Sequence, residues 1–260
     1  MLGLFQPKAT ISDEEFQHSF RWLTRQAVLS ITSGTVTSGG LLVAYALALG
    51  ATNVDIGLLA AIPFIFTVFQ LPTVLLVERY RKRKLIALTA WFSARLLWLP
   101  IALIPLWLAV PSVKAVDVMM GLIALSAILI AITNTAWSSW MKDLVPTRLL
   151  GVFYSSRLSM GTLAAALFSL VAALFVDRWS SLAPGQPAIN AYAIVMGVAA
   201  FLGVLGALAA LPAAEPAMVR PAGPTPPVGK SLLAPYRDRS YRTLIVFLVL
   251  WGFAVNLATP

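Results

Sequence analysis

Seven apolar runs divide this chain, at roughly 26–50, 54–77, 85–109, 117–139, 157–176, 190–213 and 241–259. Each approaches or exceeds the ~20 residues that a helix needs to cross a hydrocarbon core of about 30 Å. Only 11% of the residues are charged and 59% are hydrophobic, whereas soluble domains carry about 25% charged residues. The excess apolar surface fits a chain whose outer faces meet lipid. In lipid a spanning segment must satisfy its own backbone hydrogen bonds, which favours helices. The expectation is an all-α, polytopic membrane protein. The first run starts too far from Met1, and runs too long, for a simple signal peptide.

The basic residues alternate with the runs. Lys8, Arg21 and Arg25 precede the first; Arg79, Arg81, Lys82, Arg83 and Lys84 fill the second gap. Lys142, Arg148 and Arg157 surround the fourth gap, and Arg220, Lys230, Arg237, Arg239 and Arg242 follow the sixth run. Sixteen of the 19 Lys and Arg thus fall on one side, against Lys114 and Arg178 on the other, with Arg95 inside a run. Cytoplasmic loops hold the excess of Lys and Arg, so the N-terminus is expected inside. The net charge of +9 is then a topology signal, and no nucleic-acid partner is expected.

Two segments fall outside this pattern. Residues 1–25 form a polar N-terminal segment in which Ser12 and Glu15 have the spacing of a capping box. Phe16, Phe20 and Leu23 recur on one helical face. This reads either as an amphipathic helix lying on the cytoplasmic face of the bilayer or as an extension of the first span. Residues 214–240 hold Pro216, Pro221, Pro224, Pro226, Pro227 and Pro235, with Gly223 and Gly229. They read as a cytoplasmic linker without a core of its own. The seventh run, within 241–260, stops at Leu257-Ala258-Thr259-Pro260 without a polar tail. A truncated chain, lacking the C-terminal half of a two-bundle transporter, would look this way.

Catalytic and metal chemistry have little to work with. There is no cysteine, and the one histidine, His18, precedes the first run. Asp55, Glu78, Asp117, Asp143 and Asp177 are scattered without metal-ligand spacing. No cofactor and no catalytic residue is expected, and no Walker-type phosphate loop is present.

The second gap, from Val74 through Glu78, Arg79, Lys82 and Arg83, resembles the loop between helices two and three of the major facilitator superfamily. Glu78 takes the acidic place of that pattern, Arg79 the arginine, and Lys82 and Arg83 the basic pair. Val74 and Arg81 stand where glycines are usual, and Glu replaces the commoner Asp. With six runs, an inside linker and a seventh run, the resemblance covers essentially the whole chain. It implies a six-helix bundle of two inverted three-helix repeats, plus a seventh helix belonging to a missing second half. It also implies a cytoplasmic gate at Glu78 and Arg79. Asp143, Arg148 and Arg157 form a similar cluster in the second repeat. Asp143 could pair with Arg79 or Arg157, and Glu78 with Arg148 or Arg157.

Arg95 lies about eleven positions into its run, about 16 Å deep at 1.5 Å per residue. An ionisable group at that depth usually faces a cavity or a partner. Its candidate partners are backbone carbonyls, hydroxyls and amides of neighbouring helices, the second half, or an anionic substrate. In the resembled family the first and fourth helices line the central cavity. Ser33 and Thr37 on the first run, Thr133, Asn134 and Trp137 on the fourth, and Gln70 on the second are therefore cavity candidates. Membrane hydroxyls also bond their own backbone or an adjacent helix. Small residues at Gly161, Ala165, Ser169 and Ala173, and at Ala199, Gly203 and Ala207, read as packing seams. The functional expectation is a secondary transporter of a small solute, working by alternating access in a bilayer, taken as a bacterial inner membrane. A membrane-embedded enzyme acting on lipid-linked substrate and a seven-helix receptor or scaffold are the alternatives.

Overall fold

The computed structural model describes residues 5–218 and 238–258. Most of the expected linker, the first four residues and the last two of the chain lie outside them. Two units are present, Met1–Met218 and Val219–Pro260.

The first unit is a helical bundle. Span 1 is α1 (Asp13–Val36) followed by α2 (Gly40–Leu49), with a bend of 43° between them. Span 2 is α3 (Asn53–Phe66) and α4 (Gln70–Tyr80), joined by a 3-10 turn. Span 3 is α5 (Arg83–Leu96) and α6 (Trp98–Ala102), continued by the short α7 (Ile104–Trp107). Spans 4 and 5 are α8 (Val113–Leu144) and α9 (Leu150–Asp177). Past the one-turn α10 (Trp179–Leu182), span 6 is α11 (Ile189–Ala209). Among the described residues five helices are long and apolar enough to cross a membrane, six if the bent pair counts as one.

Local chemistry sets the ends and the breaks. At the start of α1 the Ser12 hydroxyl accepts from the Glu15 amide while the Glu15 carboxylate accepts from the Ser12 amide, the reciprocal cap that its spacing predicts. α1 then runs unbroken to Val36, so residues 13–25 extend span 1 and do not form a separate surface helix. Phe16 and Leu23 are buried within the bundle. Span 3 breaks where prolines intervene. Pro105 has no amide to offer the Ile101 carbonyl, and the buried Tyr45 hydroxyl donates to that carbonyl at 2.7 Å. Neighbours that satisfy freed carbonyls make such breaks tolerable in lipid. Arg81 ends α4 with φ 53°. That left-handed cap favours glycine, the residue usual at this place in the loop pattern.

The spans pack with an internal two-fold logic. Span 1 packs on spans 5 and 6; span 4 packs on spans 2 and 3; spans 3 and 6 pack on each other. Exchanging spans 1, 2, 3 with 4, 5, 6 returns the same pattern, as two equivalent three-helix units require. Spans 3 and 6 have 50% and 44% of their most apolar windows buried, against 33% in span 4 and 17% in spans 2 and 5. Spans 2 and 5 carry large exposed apolar side chains such as Phe64, Val68, Leu163 and Leu170.

The long-range bonds confirm the alternation of span directions. At one end the Ser112 amide donates to Leu49 O, joining the span 1–2 and span 3–4 corners. At the basic end Arg83, Asp143, Trp140, Ser19 and residues 213–217 meet. Ala213 and Glu215 are buried there, so the first residues of the expected linker are docked on the bundle.

The second unit holds α12 (Arg239–Ala258), which covers the expected seventh run as far as it is described.

Candidate functional site

Two apolar clusters occupy the two ends of the bundle. One contains Val36, Tyr45, Trp98, Ile123 and Ala200. The other contains Leu23, Leu88, Trp140, Phe153 and Ala210. On the helices that run between them, most of the buried positions in the interval are polar or small. On α1 these are Gln26, Ser30 and Ser33, and on α11 Gly203 and Gly206. On α5 the interval holds Trp91 and Arg95. The polar layer therefore lies between two dry ones, where an unsatisfied group is costly.

Arg95 is half-buried in this layer. Its Nη1 donates to Ser33 Oγ at 3.3 Å, and its Nε bonds nothing. The side chain lies over Gly203, where a Cβ would come within 2.6 Å of Arg95 Cδ and 2.7 Å of Ser33 Oγ. The glycine in the α11 seam thus makes room for the arginine. Trp91, one turn before Arg95, meets Trp137 of α8 edge to face, ring centres 5.4 Å apart. Its Nε1 is buried without an acceptor.

Trp137 leads on to Arg157 of α9, whose guanidinium carbon lies 5.0 Å from both the Trp137 and Phe153 ring centres. Such contacts attract a cation to the ring face. Arg157 also donates to Leu23 O at 2.9 Å and to Gln26 Oε1 at 2.8 Å. Gln26 in turn donates to Ser30 Oγ at 2.9 Å. The result is a continuous track, Arg95–Trp91–Trp137–Arg157, backed by the polar face of α1.

The other expected cavity residues divide. Thr37 donates to Ser33 O of its own helix at 2.8 Å. Thr133 does likewise to Leu129 O at 2.9 Å and touches Ala87 O at 3.5 Å. Both hydroxyls are spent on backbone. Asn134 is exposed and Gln70 half-buried at the start of α4.

At the basic end Asp143 pairs with Arg83 at 2.5 Å, and with neither Arg79 nor Arg157. Arg83 opens α5 directly against the last turn of α8, whereas Arg157 lies two turns into α9. Arg83 also donates to Ser139 O at 2.8 Å and to Pro216 O at 2.7 Å. Beside it, Lys84 Nζ donates to Ala213 O at 2.8 Å, and the Lys84 amide to Glu215 Oε1 at 3.1 Å. Burial holds the Glu215 carboxyl above its ordinary range, against the opposing pull of that amide and of Arg83 and Lys84. Glu78, Arg79, Lys82 and Arg148 are exposed. The Glu78 carboxylate forms no ion pair among the described residues, so pairing with Arg148 or Arg157 is not seen.

Gln26, Trp91, Lys84 and Glu215 complete these clusters without having stood out in the sequence. No group of acids and histidines able to hold a metal occurs among the described residues. A family model described as Major Facilitator Superfamily matches residues 26–260. No curated protein and no solved structure matches the chain.

Proposed function

The chain belongs to the major facilitator superfamily, and from that premise we propose that it carries a small solute across a cell membrane by alternating access. It is a multi-pass membrane transporter, which sets aside the enzyme and receptor readings. The observation that carries the finer proposal is the polar layer held between two apolar clusters at mid-bundle. Substrate and coupling-ion sites of such carriers lie near the bilayer midplane, at the interface of two repeats.

A second bundle closes over the exposed apolar faces of spans 2 and 5 in this reading. The basic end is cytoplasmic, from the charge bias. Exposed Glu78, Arg79, Lys82 and Arg148 form the gate, meeting the second bundle when that side is shut. Arg83 and Asp143 act within the first bundle. All ten acids lie in or near terminal turns or outside the helices, so a proton-coupling carboxylate at mid-depth falls to the second bundle or to none.

The chain's lack of cysteine makes a direct test simple. Asn134→Cys, on the exposed flank of the polar layer, is treated with a membrane-impermeant thiol reagent in intact cells and in inverted vesicles. Labelling from both sides is expected of a site that opens alternately. Labelling from one side only, under all conditions, would rule out alternating access at that position.

A further inference from the structure

Two arginines stand within the spans without a carboxylate. The ion pairs among the described residues are Lys8–Glu15 and Arg83–Asp143, and neither involves Arg95 or Arg157. Arg95 reaches a serine hydroxyl. Arg157 reaches a backbone carbonyl and an amide oxygen. These acceptors are neutral, so two positive charges remain in a low-dielectric layer where they act strongly on one another and on any ligand.

The spacing of the two charges is set by α1. Their partners Gln26 and Ser33 are seven residues apart, about 10 Å along the helix at 1.5 Å per residue. Between the charges lie the two indoles, Trp137 against Arg157 and Trp91 one turn from Arg95. Guanidinium and indole groups only donate hydrogen bonds. Arg95 Nε and Trp91 Nε1 are donors still without an acceptor. A ligand that complements this surface must bring acceptors, negative charge and a flat carbon body.

We propose that the track binds a small organic oxyanion, a carboxylate or a phosphate ester. Its charged head sits at Arg95, beside the unaccepted Arg95 Nε and Trp91 Nε1, and its planar body extends past Trp137 toward Arg157, whose charge attracts it from the far end. This names the substrate class of the transport site, and it rests on that reading. A cationic substrate would face two like charges, and a neutral one would leave both uncompensated.

The test uses four probes of similar shape, namely benzoate, phenyl phosphate, benzylamine and benzyl alcohol. The chain in lipid nanodiscs is titrated with each while tryptophan fluorescence and thermal unfolding are followed. Benzoate, phenyl phosphate or both should quench fluorescence and raise the unfolding temperature, and the pair tells which head is preferred. Arg95→Gln and Arg157→Gln should each weaken anion binding at least tenfold. Arg95→Lys, which keeps the charge, should retain part of it and so separates a lost ligand contact from a misfolded bundle. Equal binding of benzylamine or benzyl alcohol, no anion binding at all, or unchanged affinity in both glutamine variants would overturn the proposal. Radiolabelled benzoate uptake into liposomes separates it from the transport reading. Anion binding without uptake upholds the site alone, and the two-sided labelling of Asn134→Cys then decides transport. Uptake of a neutral or cationic solute without anion binding overturns the site and leaves transport standing.

Discussion

The basic end of the bundle and its middle both bury cations, and they treat them differently. At the basic end Arg83 and Lys84 are almost fully enclosed, yet Asp143 and Glu215 lie beside them and backbone carbonyls cap their donors. In the middle Arg95 and Arg157 meet hydroxyl, amide, backbone carbonyl and ring, and no acid among the described residues. A compensated charge ties elements together. Here it binds α5, α8 and the segment after α11 into one end-piece. An uncompensated charge stores electrostatic free energy that a ligand can release. If this contrast is right, removing a cation at the basic end costs stability, and removing one at the middle costs binding.

The largest stability effect is expected from Arg83→Ala. It removes the only ion-pair partner of Asp143 among the described residues and leaves Ser139 O and Pro216 O without their donor. Breaking a buried pair costs about 3–5 kcal/mol. The Asp143 side chain is 39% exposed, so solvent screens its share and about 2–3 kcal/mol is expected. Thermal or denaturant unfolding in detergent measures the loss, and anion affinity at the middle should stay within a factor of two. An unchanged midpoint, or a collapse of binding with stability intact, would erase the distinction between the regions.

A smaller effect, of about 1 kcal/mol, is expected from Glu215→Gln, and it carries a pH signature. Burial raises the folded-state pKa of Glu215 above its ordinary value of 4.5. The folded state therefore binds the proton more tightly than the unfolded one. The corresponding stability is fully present below pH 4.5 and is lost as pH rises through the higher folded value. Glu215→Gln removes that slope. Unfolding midpoints of both proteins across pH 4–8 should converge at the acid end and separate above it, with the variant more stable. A parallel offset at all pH values would show that Glu215 stays ionised throughout.

The spans were legible because apolar run length and the alternation of basic gaps are local properties of the chain. The ends of α1 and α4 were partly legible too, through Ser12 and Glu15 and through the loop position of Arg81. Arg95 stood out because an ionisable residue inside an apolar run has few bland explanations. Gln26 and Trp91 did not stand out. A glutamine at the edge of a run reads as interfacial, and a tryptophan within one reads as core. Their roles come from packing across the bundle, as when Arg157 reaches Gln26 from 131 residues away. Glu215 was hidden for another reason. It opens a proline-rich stretch that reads as linker, and the Lys84 amide holds the carboxyl inward from 131 residues away. The pairing of Asp143 was open between two arginines and went to a third, because end-of-helix geometry decides which cation is in reach.

The smallest effect belongs to the hydroxyls, and it sets the boundary of the middle region. Thr37 and Thr133 lie on the same two spans as Ser33 and Trp137. Each donates to a carbonyl four residues earlier in its own helix. That carbonyl already belongs to the helical ladder, so the extra bond adds little, and hydrogen bonds of side chains within membrane bundles average about 0.6 kcal/mol. Thr37→Val and Thr133→Val keep shape and remove only the hydroxyl. Both should shift stability by less than about 1 kcal/mol and leave benzoate affinity within a factor of two. Ser33→Ala is the informative contrast. It removes the hydroxyl that accepts from Arg95 Nη1, and so should lower benzoate affinity several-fold at similar stability. If the threonine variants lost binding as Ser33→Ala does, the polar track would have to be widened to include every hydroxyl at its level. The arginines would then lose their special standing.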